Sequence, residues 1–386
     1  MEKYKIIETI GDGTYGIVYK GINTETNEYV AIKKMKKKYT DWEECISLKE
    51  VQALISLKHS NIVTLNELIL ENEELIMIFE FIGVNLFEYA KNINEIPEYK
   101  IRNISFQILQ GLAYMHKNNF FHRDLKPENI LISGDQVKLA DFGLAKEINC
   151  NPPNTDYVAT RWYRSPEVIL NSDKYSSPID IFALGCIIAE LYMGKPIFPG
   201  KSANEQMNKI CEILGTPNQS DWPDGYILAQ KINYNFPQMR SKKLKHIIPK
   251  ASESAINLLE SMLNFNPSKR PSAVKCLQHS FFQCNDVLKF YGFKINKEED
   301  NNNDINGERN KKNINFAMSM NSNNNFMNLN NDDNNMLGGG NISEPNLIGN
   351  DNLYNSEIIN NNSNNGHLYS NNKFKGGKIK FEDLLE

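Results

Sequence analysis

The chain has 386 residues, with 43 Lys and Arg against 47 Asp and Glu and a formal net charge of −4. From Tyr291 onward there are 9 basic and 13 acidic residues, so the part before it is neutral overall. A neutral body argues against a protein whose main role is to coat nucleic acid or an anionic membrane, although it is compatible with a local basic patch. The six cysteines form no C-x-x-C pair and the N-terminus carries no apolar signal region, so we expect reduced thiols and a cytoplasmic protein.

Strand and helix patterns divide the part before residue 290. Alternating apolar residues between turn residues predict strands, whereas apolar residues three or four apart predict helices. The predicted strands are 4–10, 17–21, 29–33 and 75–81, and the predicted helices are 42–57, 86–92, 101–118, 178–193, 203–214 and 252–263. This order predicts two lobes with a cleft between them. The longest apolar run, 181–191, is shorter than a membrane span of roughly 20 residues and predicts a buried core helix.

The composition changes near residue 292. Residues 301–372 contain 28 Asn, and their bulky apolar residues are isolated. Such a segment buries too little apolar surface to offset the entropy of ordering, so we predict that 293–386 is mostly disordered. Low-complexity expansion without a function of its own is the simpler explanation for the Asn-rich part. Residues 373–381 differ, because basic and apolar residues interleave there, which raises the hypothesis of a short docking or regulatory motif.

A glycine-rich run occupies residues 11–18, which read GDGTYGIV. Glycines allow backbone amides to approach phosphate oxygens closely. A dinucleotide-binding turn would need a helix directly after the run, but the sequence continues as a strand, which favours a glycine-rich hairpin. The next predicted strand ends in Lys33, which is placed to reach the phosphates. A buried lysine there needs an acidic partner, and Glu50 on the following helix is the candidate.

A more specific motif occupies residues 122–129, which read HRDLKPEN, and residues 141–143 read DFG. Asp124 and Asn129 lie five residues apart, with Lys126 between them. Asn129 and Asp141 offer hard oxygen ligands, which suit Mg²⁺ bound partly through substrate phosphates.

Together with the later SPE at residues 165–167, these motifs resemble those of a eukaryotic protein kinase over about residues 4–282. The resemblance implies an α+β, bilobal protein kinase fold, with a small β-rich N-lobe of about 4–81 and a larger helical C-lobe of about 86–282. It implies Mg²⁺-dependent transfer of the ATP γ-phosphate to protein Ser or Thr. Asp124 would orient or deprotonate the substrate hydroxyl, Lys126 would neutralise the transferring group, and Asn129 and Asp141 would hold Mg²⁺.

The resemblance also implies which residues surround the nucleotide. Phe79 is the expected gatekeeper, which restricts inhibitors that need a deep back pocket. The full nucleotide-binding set is Ile10, Gly11, Asp12, Gly13, Thr14, Tyr15, Gly16, Val18, Ala31, Lys33, Glu50, Phe79, Glu80 and Ile82. Phosphate on Thr14 or Tyr15 would repel ATP, as in cyclin-dependent kinases.

An activation segment follows, in which Thr155 and Tyr157 form a T-x-Y pair. Phosphate on Thr155 would add about −1.5 to −2 charge and require cationic partners, of which Arg123 is the natural one. We therefore expect activation by an upstream kinase acting on Thr155, although both residues could be ordinary loop polars. Thr160 and Arg164 are expected to form the region that receives the residue after the phosphorylated Ser or Thr.

Residues 161–164, which read RWYR, resemble the group of cyclin-dependent and mitogen-activated kinases, whose sites accept proline. Residues 42–50 lack the PSTAIRE cyclin-binding sequence, and the loop has TDY instead of TEY. Residues 214–217 (LGTP) and 220–226 (SDWPDGY) are similar to the male-germ-cell-associated and intestinal-cell kinase family. That family implies a role in ciliary or flagellar length control and intraflagellar transport, with the cilium or the nucleus as further compartments. The alternatives are a mitogen-activated or cyclin-dependent-like kinase of another pathway, or a catalytically silent scaffold.

Three further expectations concern the C-lobe. Ser165 replaces a more frequent Ala, which we expect to be a small change on the surface. Phe182 replaces a frequent Trp at a size-tolerant position. Glu167 is expected to pair with Arg270 inside the lobe.

We expect protein substrates with Ser/Thr-Pro sites, no nucleic acid partner and no membrane span. The sequence does not name a partner for the tail.

Overall fold

The computed structural model describes residues 1–13, 15–147, 161–283 and 377–380. Strands predominate before residue 81 and helices after residue 85. This confirms the predicted α+β, bilobal fold. In the described residues, no helix is both long enough and apolar enough to cross a bilayer. The predicted disorder of 293–386 concerns residues that lie outside the described part, apart from 377–380.

The N-lobe is built on an antiparallel sheet whose strand order is β1-β2-β3-β5-β4-β11. Gly11 pairs with Val18 across β1 and β2, which confirms the predicted glycine-rich hairpin. The sequence interpretation did not include β4. The strands are β1 Tyr4–Asp12, β2 Gly16–Asn23, β3 Tyr29–Lys38, β4 Leu65–Glu71, β5 Glu74–Glu80 and, from the far end of the chain, β11 Gly377–Lys380.

The predicted single helix over 42–57 is wrong, because the structure has two helices there, α1 Trp42–Ile46 and α2 Lys49–Ser56. Ser47 donates its hydroxyl back to the Glu44 carbonyl oxygen at 2.8 Å. Leu48 then takes an extended conformation, with φ −60° and ψ 131°, and the helix axis is interrupted. Ser often competes with the helix backbone in this way. The break lets α2 pack its own face against the sheet.

The C-lobe is mainly helical, and the buried core helix predicted over 178–193 is reproduced at those bounds. The helix predicted over 203–214 is also reproduced, and the other predicted helices are shifted by one to three residues at their ends. The helices are α3 Leu86–Lys91, α4 Glu98–Lys117, α5 Pro166–Ile169, α6 Pro178–Met193, α7 Ala203–Leu214, α8 Pro223–Lys231, α9 Leu244–Ile247, α10 Glu253–Met262 and α11 Ala273–Leu277.

Short strands lie where the two lobes meet and carry the loops of the cleft. Strand β8 pairs with both β6 and β9, and β7 pairs with β10. These strands are β6 Val84–Asn85, β7 Phe120–Phe121, β8 Ile130–Ser133, β9 Gln136–Leu139 and β10 Lys146–Glu147. One hydrophobic core runs through both lobes, from Val51 and Leu54 on α2 to Leu184 and Ile187 on α6.

Candidate active site

A buried ion pair joins the sheet to α2. Lys33 Nζ lies 2.7 Å from Glu50 Oε1 and 2.9 Å from Oε2. The exposed fractions of the two side chains are 11% and 7%. Burial alone would lower the pKa of Lys33, but the carboxylates of Glu50 and Asp141 together raise it above its usual value. The lysine is therefore held as a cation at the mouth of the cleft, with its position fixed by Glu50.

Asp141 lies beside this pair, with Oδ1 3.5 Å from Lys33 Nζ. Its φ of 62° is in the left-handed region, which is costly for a residue with a Cβ and recurs at functional sites. Partial burial would raise the pKa of Asp141, but Lys33, His122 and Lys126 lower it, aided by the Gly143 N–H. The side chain is 43% exposed. It therefore presents a carboxylate, not a carboxylic acid, to the cleft.

The loop from His122 to Asn129 forms a tight local network. Lys126 Nζ lies 2.8 Å from Asp124 Oδ2, and Asn129 Nδ2 donates to the same oxygen at 3.1 Å. Asn129 Nδ2 also donates to the Asp124 carbonyl oxygen at 2.8 Å. Both Lys126 and Asn129 thus act on Oδ2. In the part of the chain that the structure describes, no donor reaches Asp124 Oδ1, which is left for a substrate.

The two loops of the cleft are tied to each other. The backbone N–H of Ala140 donates to the Asn129 carbonyl oxygen at 2.9 Å. A ring nitrogen of His122, Nε2, lies 3.0 Å from the Ala140 carbonyl oxygen. Because Ala140 directly precedes Asp141, these bonds fix the distance between the Asp124 loop and the Asp141 loop. The structure therefore brings together the residues that the sequence predicted as catalytic and metal-binding.

Asp180, at the start of α6, fixes the backbone of the Asp124 loop. Its carboxylate accepts the N–H of His122 at 2.8 Å and that of Arg123 at 3.0 Å, and it lies 2.9 Å from His116 Nε2. Arg123 has a φ of 71°, and these bonds hold it in that costly conformation. Sequence reasoning missed this role of Asp180. The available signal was a lone acid in the first turn of a long apolar helix.

The glycine-rich loop is closed by a backbone bond from the Gly13 N–H to the Gly16 carbonyl oxygen at 3.0 Å. A Cβ on Gly16 would lie 2.6 Å from the Lys34 carbonyl oxygen, so only glycine fits there. Lys36 Nζ contacts Asp12 Oδ1 at 2.7 Å and the Gly13 carbonyl oxygen at 2.8 Å. Asp12 is therefore engaged with Lys36 of β3, which lies beyond β2 in the sheet. Thr14 lies outside the described residues.

The apolar residues predicted to line the nucleotide pocket lie in the N-lobe sheet, its glycine-rich loop and the residues directly after β5. Ala31 and Phe79 are partners across β3 and β5, and Phe79 is buried. Ile82 is also buried, whereas Ile10 and Tyr15 are exposed. Val18 is half-buried on β2, beside Gly11. These apolar side chains suit the flat face of a base.

Glu80 departs from a simple lining role. Its carboxylate accepts the Thr64 N–H at 2.7 Å and contacts Lys138 Nζ at 2.6 Å. A side chain committed to these two groups has little freedom to meet a ligand. Both contacts use Oε1 of Glu80.

Arg123 is half-buried and contacts residues on both sides of the part of the activation segment that lies outside the described residues. It donates to the Tyr175 hydroxyl at 2.6 Å and to the Leu144 carbonyl oxygen at 3.3 Å. Its buried Nε has no acceptor within the described residues, which suits an additional anionic partner. Arg164 lines a cleft with Asp124 and Tyr163. The other residues predicted for this region, Thr155, Tyr157 and Thr160, lie outside the described residues.

Ser165 corrects one expectation about the surface. It is 1% exposed, so the substitution for Ala is buried and not a surface change. It lies directly before α5, and its Oγ has no hydrogen-bond partner among the described residues. The predicted pair of Glu167 and Arg270 is confirmed, with two bonds of 2.6 and 2.7 Å.

Two side chains of the cleft offer oxygen ligands of the kind that Mg²⁺ prefers. Both contacts of Asn129 use its amide nitrogen, so Oδ1 is left to bind a cation, and Asp141 offers a partly exposed carboxylate. In the described residues, no cluster of three or more His, Cys, Asp and Glu side chains could hold a metal by itself. Two oxygen ligands from the protein fit Mg²⁺, which keeps waters and uses substrate phosphates, and do not fit an all-protein metal cage.

Comparison with known proteins agrees with this geometry. The protein kinase domain family matches residues 4–282. Serine/threonine-protein kinase MAK of Homo sapiens is 53% identical over 290 residues, which are 75% of this chain and 46% of that protein. Serine/threonine-protein kinase ICK of Mus musculus is 54% identical over 285 residues, 73% of this chain and 45% of that protein.

A third relative is cyclin-dependent kinase F-3 of Oryza sativa subsp. japonica, 52% identical over 283 residues, which are 73% of this chain and 65% of that protein. This chain matches about half of the length of the mammalian relatives. The match covers the lobes that carry Lys33, Asp124 and Asp141. The chain belongs to the protein kinase family, in the group of the serine/threonine-protein kinases MAK and ICK.

Proposed function

We propose that the chain is an active serine/threonine protein kinase that transfers the γ-phosphate of ATP to Ser or Thr followed by Pro. One observation carries the proposal. The buried pair of Lys33 and Glu50 is closed, and Asp141 lies 3.5 Å from the same lysine nitrogen. A cation fixed between two acids suits phosphate binding, and phosphoryl transfer depends mainly on such positioning and electrostatics.

Each residue has a defined task in this proposal. Asp124 Oδ1 accepts the proton of the substrate hydroxyl. At the same time the hydroxyl oxygen of the substrate forms the new bond to the γ-phosphorus, and the bond from that phosphorus to the ADP oxygen breaks. Lys126, held on Asp124 Oδ2, adds positive charge beside the transferring group. Lys33 orients the α- and β-phosphates. Mg²⁺ bound by Asn129 and Asp141 would neutralise charge on the phosphate oxygens.

Regulation and specificity belong to the same proposal. Phosphate on Thr155 would meet the guanidinium of Arg123, whose buried Nε has no acceptor among the described residues. An upstream kinase would supply this phosphate, and Tyr157 would be the second site. Arg164, beside Asp124 in one cleft, would shape the region that accepts proline.

The cellular role is proposed on a separate basis. The similarity to MAK and ICK over residues 4–282 supports a role in ciliary or flagellar length control. Tagged chain expressed in ciliated cells is expected at the cilium, and an Asp124→Asn chain that replaces it is expected to alter cilium length. Unchanged length would assign the chain to another pathway.

The enzymatic proposal is tested with the purified full chain, Mg-ATP and paired Ser-Pro and Ser-Ala peptides. We expect transfer to the Ser-Pro peptide only. Mass spectrometry of the same samples gives the fraction of Thr155 that carries phosphate, and the rate of peptide phosphorylation should rise with that fraction. Asp124→Asn should reduce the turnover number by about 10²- to 10⁴-fold while the melting temperature is unchanged. Lack of transfer with Thr155 and Tyr157 both phosphorylated would instead support a scaffold.

A further inference from the structure

The last described strand, β11, extends the N-lobe sheet with a segment from the far end of the chain. It runs antiparallel to β4 over four residue pairs, from Gly377 opposite Leu70 to Lys380 opposite Glu67. Without β11, β4 would be the edge of the sheet. An open edge presents unpaired N–H and C=O groups that can pair with any extended chain. The segment therefore covers a reactive edge of the lobe.

The sequence of β11 matches the two faces of this edge. Residues directly opposite each other in an antiparallel pair lie on the same face of the sheet. Ile379 is half-buried and lies opposite Leu68, which belongs to the core that includes Val51 of α2. Lys378 is exposed and lies opposite Ile69, on the other face. The alternation of basic and apolar residues in 373–381 is thus the pattern that this edge requires.

The added strand is also suited to end the sheet. It is short, and Lys378 on it is exposed. Short strands and lysines are the features by which natural sheets resist further strand addition. An open β4 edge would have neither protection, because β4 is seven residues long and contains no lysine.

The same chain supplies the strand more readily than a second copy would. Residues 284–376 connect β11 to the C-lobe, and most of them belong to the segment predicted to be disordered. A connection of this length that is disordered, as the sequence predicts for most of it, would hold its two ends at an effective concentration of about 1 mM. That exceeds the micromolar concentration of an ordinary protein solution, so pairing within one chain is favoured.

We propose that the outer edge of β4 is a strand-docking site and that its occupant is the C-terminal segment of the same chain. This inference goes beyond the proposed function and holds whether or not the chain transfers phosphate. It gives the basic and apolar segment at 373–381 a defined binding site.

Hydrogen exchange in the full chain tests the proposal. Proline lacks a backbone N–H, and successive residues of a strand point their N–H groups to opposite sides. The double variant Lys378→Pro/Ile379→Pro therefore removes at least one bond to β4, whichever residue donates. We expect amides of β4 to exchange at least about tenfold faster in this variant, while α6 is unchanged. The matched control, Asn361→Pro/Asn362→Pro in the Asn-rich part, should behave like the unmodified chain.

Two additions separate the possible occupants. A synthetic peptide of residues 373–381 should restore slow exchange of β4 in the double variant, since it offers the same strand. In the unmodified chain, protection of β4 should not depend on protein concentration over about a hundredfold range below the effective concentration. Protection that rises with concentration would assign the strand to a second copy and overturn the proposal. Equal exchange of β4 in the unmodified chain and the double variant would also overturn it.

Discussion

Arg270 and Glu167 form a buried pair whose removal should be costly for the C-lobe. Arg270 is 0% exposed and Glu167 4% at the side chain. All five N–H groups of Arg270 are used. Two go to the Glu167 carboxylate, at 2.6 and 2.7 Å, and three go to the backbone oxygens of Asn264, Pro178 and Phe265 at 2.8 to 3.1 Å. The guanidinium thus joins the start of α5 to α6 and to the segment before α11.

The magnitude follows from what Arg270→Leu would leave behind. Removing one partner of a buried pair costs about 3–5 kcal/mol, because the other charge stays buried without compensation. For a domain of this size, about 1 kcal/mol shifts the melting temperature by roughly 2–4 °C, so we expect a fall of roughly 10 °C. Replacing both residues, as Glu167→Leu/Arg270→Leu, removes the unpaired charge. It still leaves three backbone oxygens without donors, at about 1 kcal/mol each, so it should recover only part of the loss.

The assay is thermal unfolding of the full chain by circular dichroism, with urea unfolding as an independent measure of the free energy. Lys269→Leu is the matched control. Lys269 directly precedes Arg270, but its side chain is 47% exposed and pairs with Asp221 at the surface. The control should shift the melting temperature by less than about 2 °C, as expected of a surface pair. A similarly small shift for Arg270→Leu would refute the reasoning. So would a double variant less stable than Arg270→Leu alone.

Three further predictions concern the N-lobe and the cleft. Glu50→Gln removes the charge that fixes the position of Lys33. Because charge-assisted hydrogen bonds contribute about 1.5–3 kcal/mol, kcat/KM should fall roughly tenfold to hundredfold. Glu44→Gln, in an exposed pair with Lys37, should leave kcat/KM unchanged, and equal effects of the two changes would contradict the role of Glu50. Phe79→Gly should make the kinase at least about tenfold more sensitive to an ATP-competitive inhibitor with a bulky group, measured as an inhibition constant, because it opens space behind the predicted pocket. Unchanged inhibition would place Phe79 away from the nucleotide. Burial and, to a lesser degree, Lys138 lower the pKa of His59 to about 4 from 6.5. On acidification the unfolded chain therefore binds the proton before the folded chain does. The free energy of unfolding should fall as the pH falls from 6.5 to about 4. His59→Asn keeps an acceptor for the Asn61 N–H but cannot titrate, so its melting temperature should vary less over that window, and an equal pH dependence would exclude His59 as the cause.

Much of the site was predictable because its signals are local. Asp124 and Asn129 lie five residues apart in one loop, and their contact follows from that loop alone. Lys33 lies on β3 and Glu50 on α2, with α1 between them in the chain, and the pairing was indicated because a lysine that reaches phosphates needs an acid to hold it. The predicted ends of α6 were right because Pro178 starts the helix and Gly194, with a φ of 67°, ends it.

Contacts between distant parts of the chain were not predictable in the same way. Strand β4 contains Glu67, whose charge argues against a buried strand. The structure offsets that charge with Lys3 Nζ at 3.0 Å and the Tyr4 hydroxyl at 2.6 Å, more than sixty residues earlier in the chain. The split between α1 and α2 depends on a single hydroxyl bond of Ser47, which helical spacing does not reveal. The pairing of β11 with β4 joins residues about three hundred apart. The pattern in 373–381 indicates an amphipathic segment, but it does not indicate where on the protein that segment binds.

The attachment of the catalytic loop to Asp180 has a consequence for how the site loses order. Asp180 belongs to the most deeply buried helix of the C-lobe, so the loop that carries Asp124 shares the cooperative unit of that core. Lys33 is carried by the N-lobe sheet and held by a short helix, so we expect its surroundings to open before the core around α6 does. On mild heating, the N-lobe sheet can open locally while the loop that carries Asp124 stays folded. Loss of nucleotide binding should then precede global unfolding and reverse on cooling, whereas loss of the Asp124 loop should coincide with melting of the whole C-lobe.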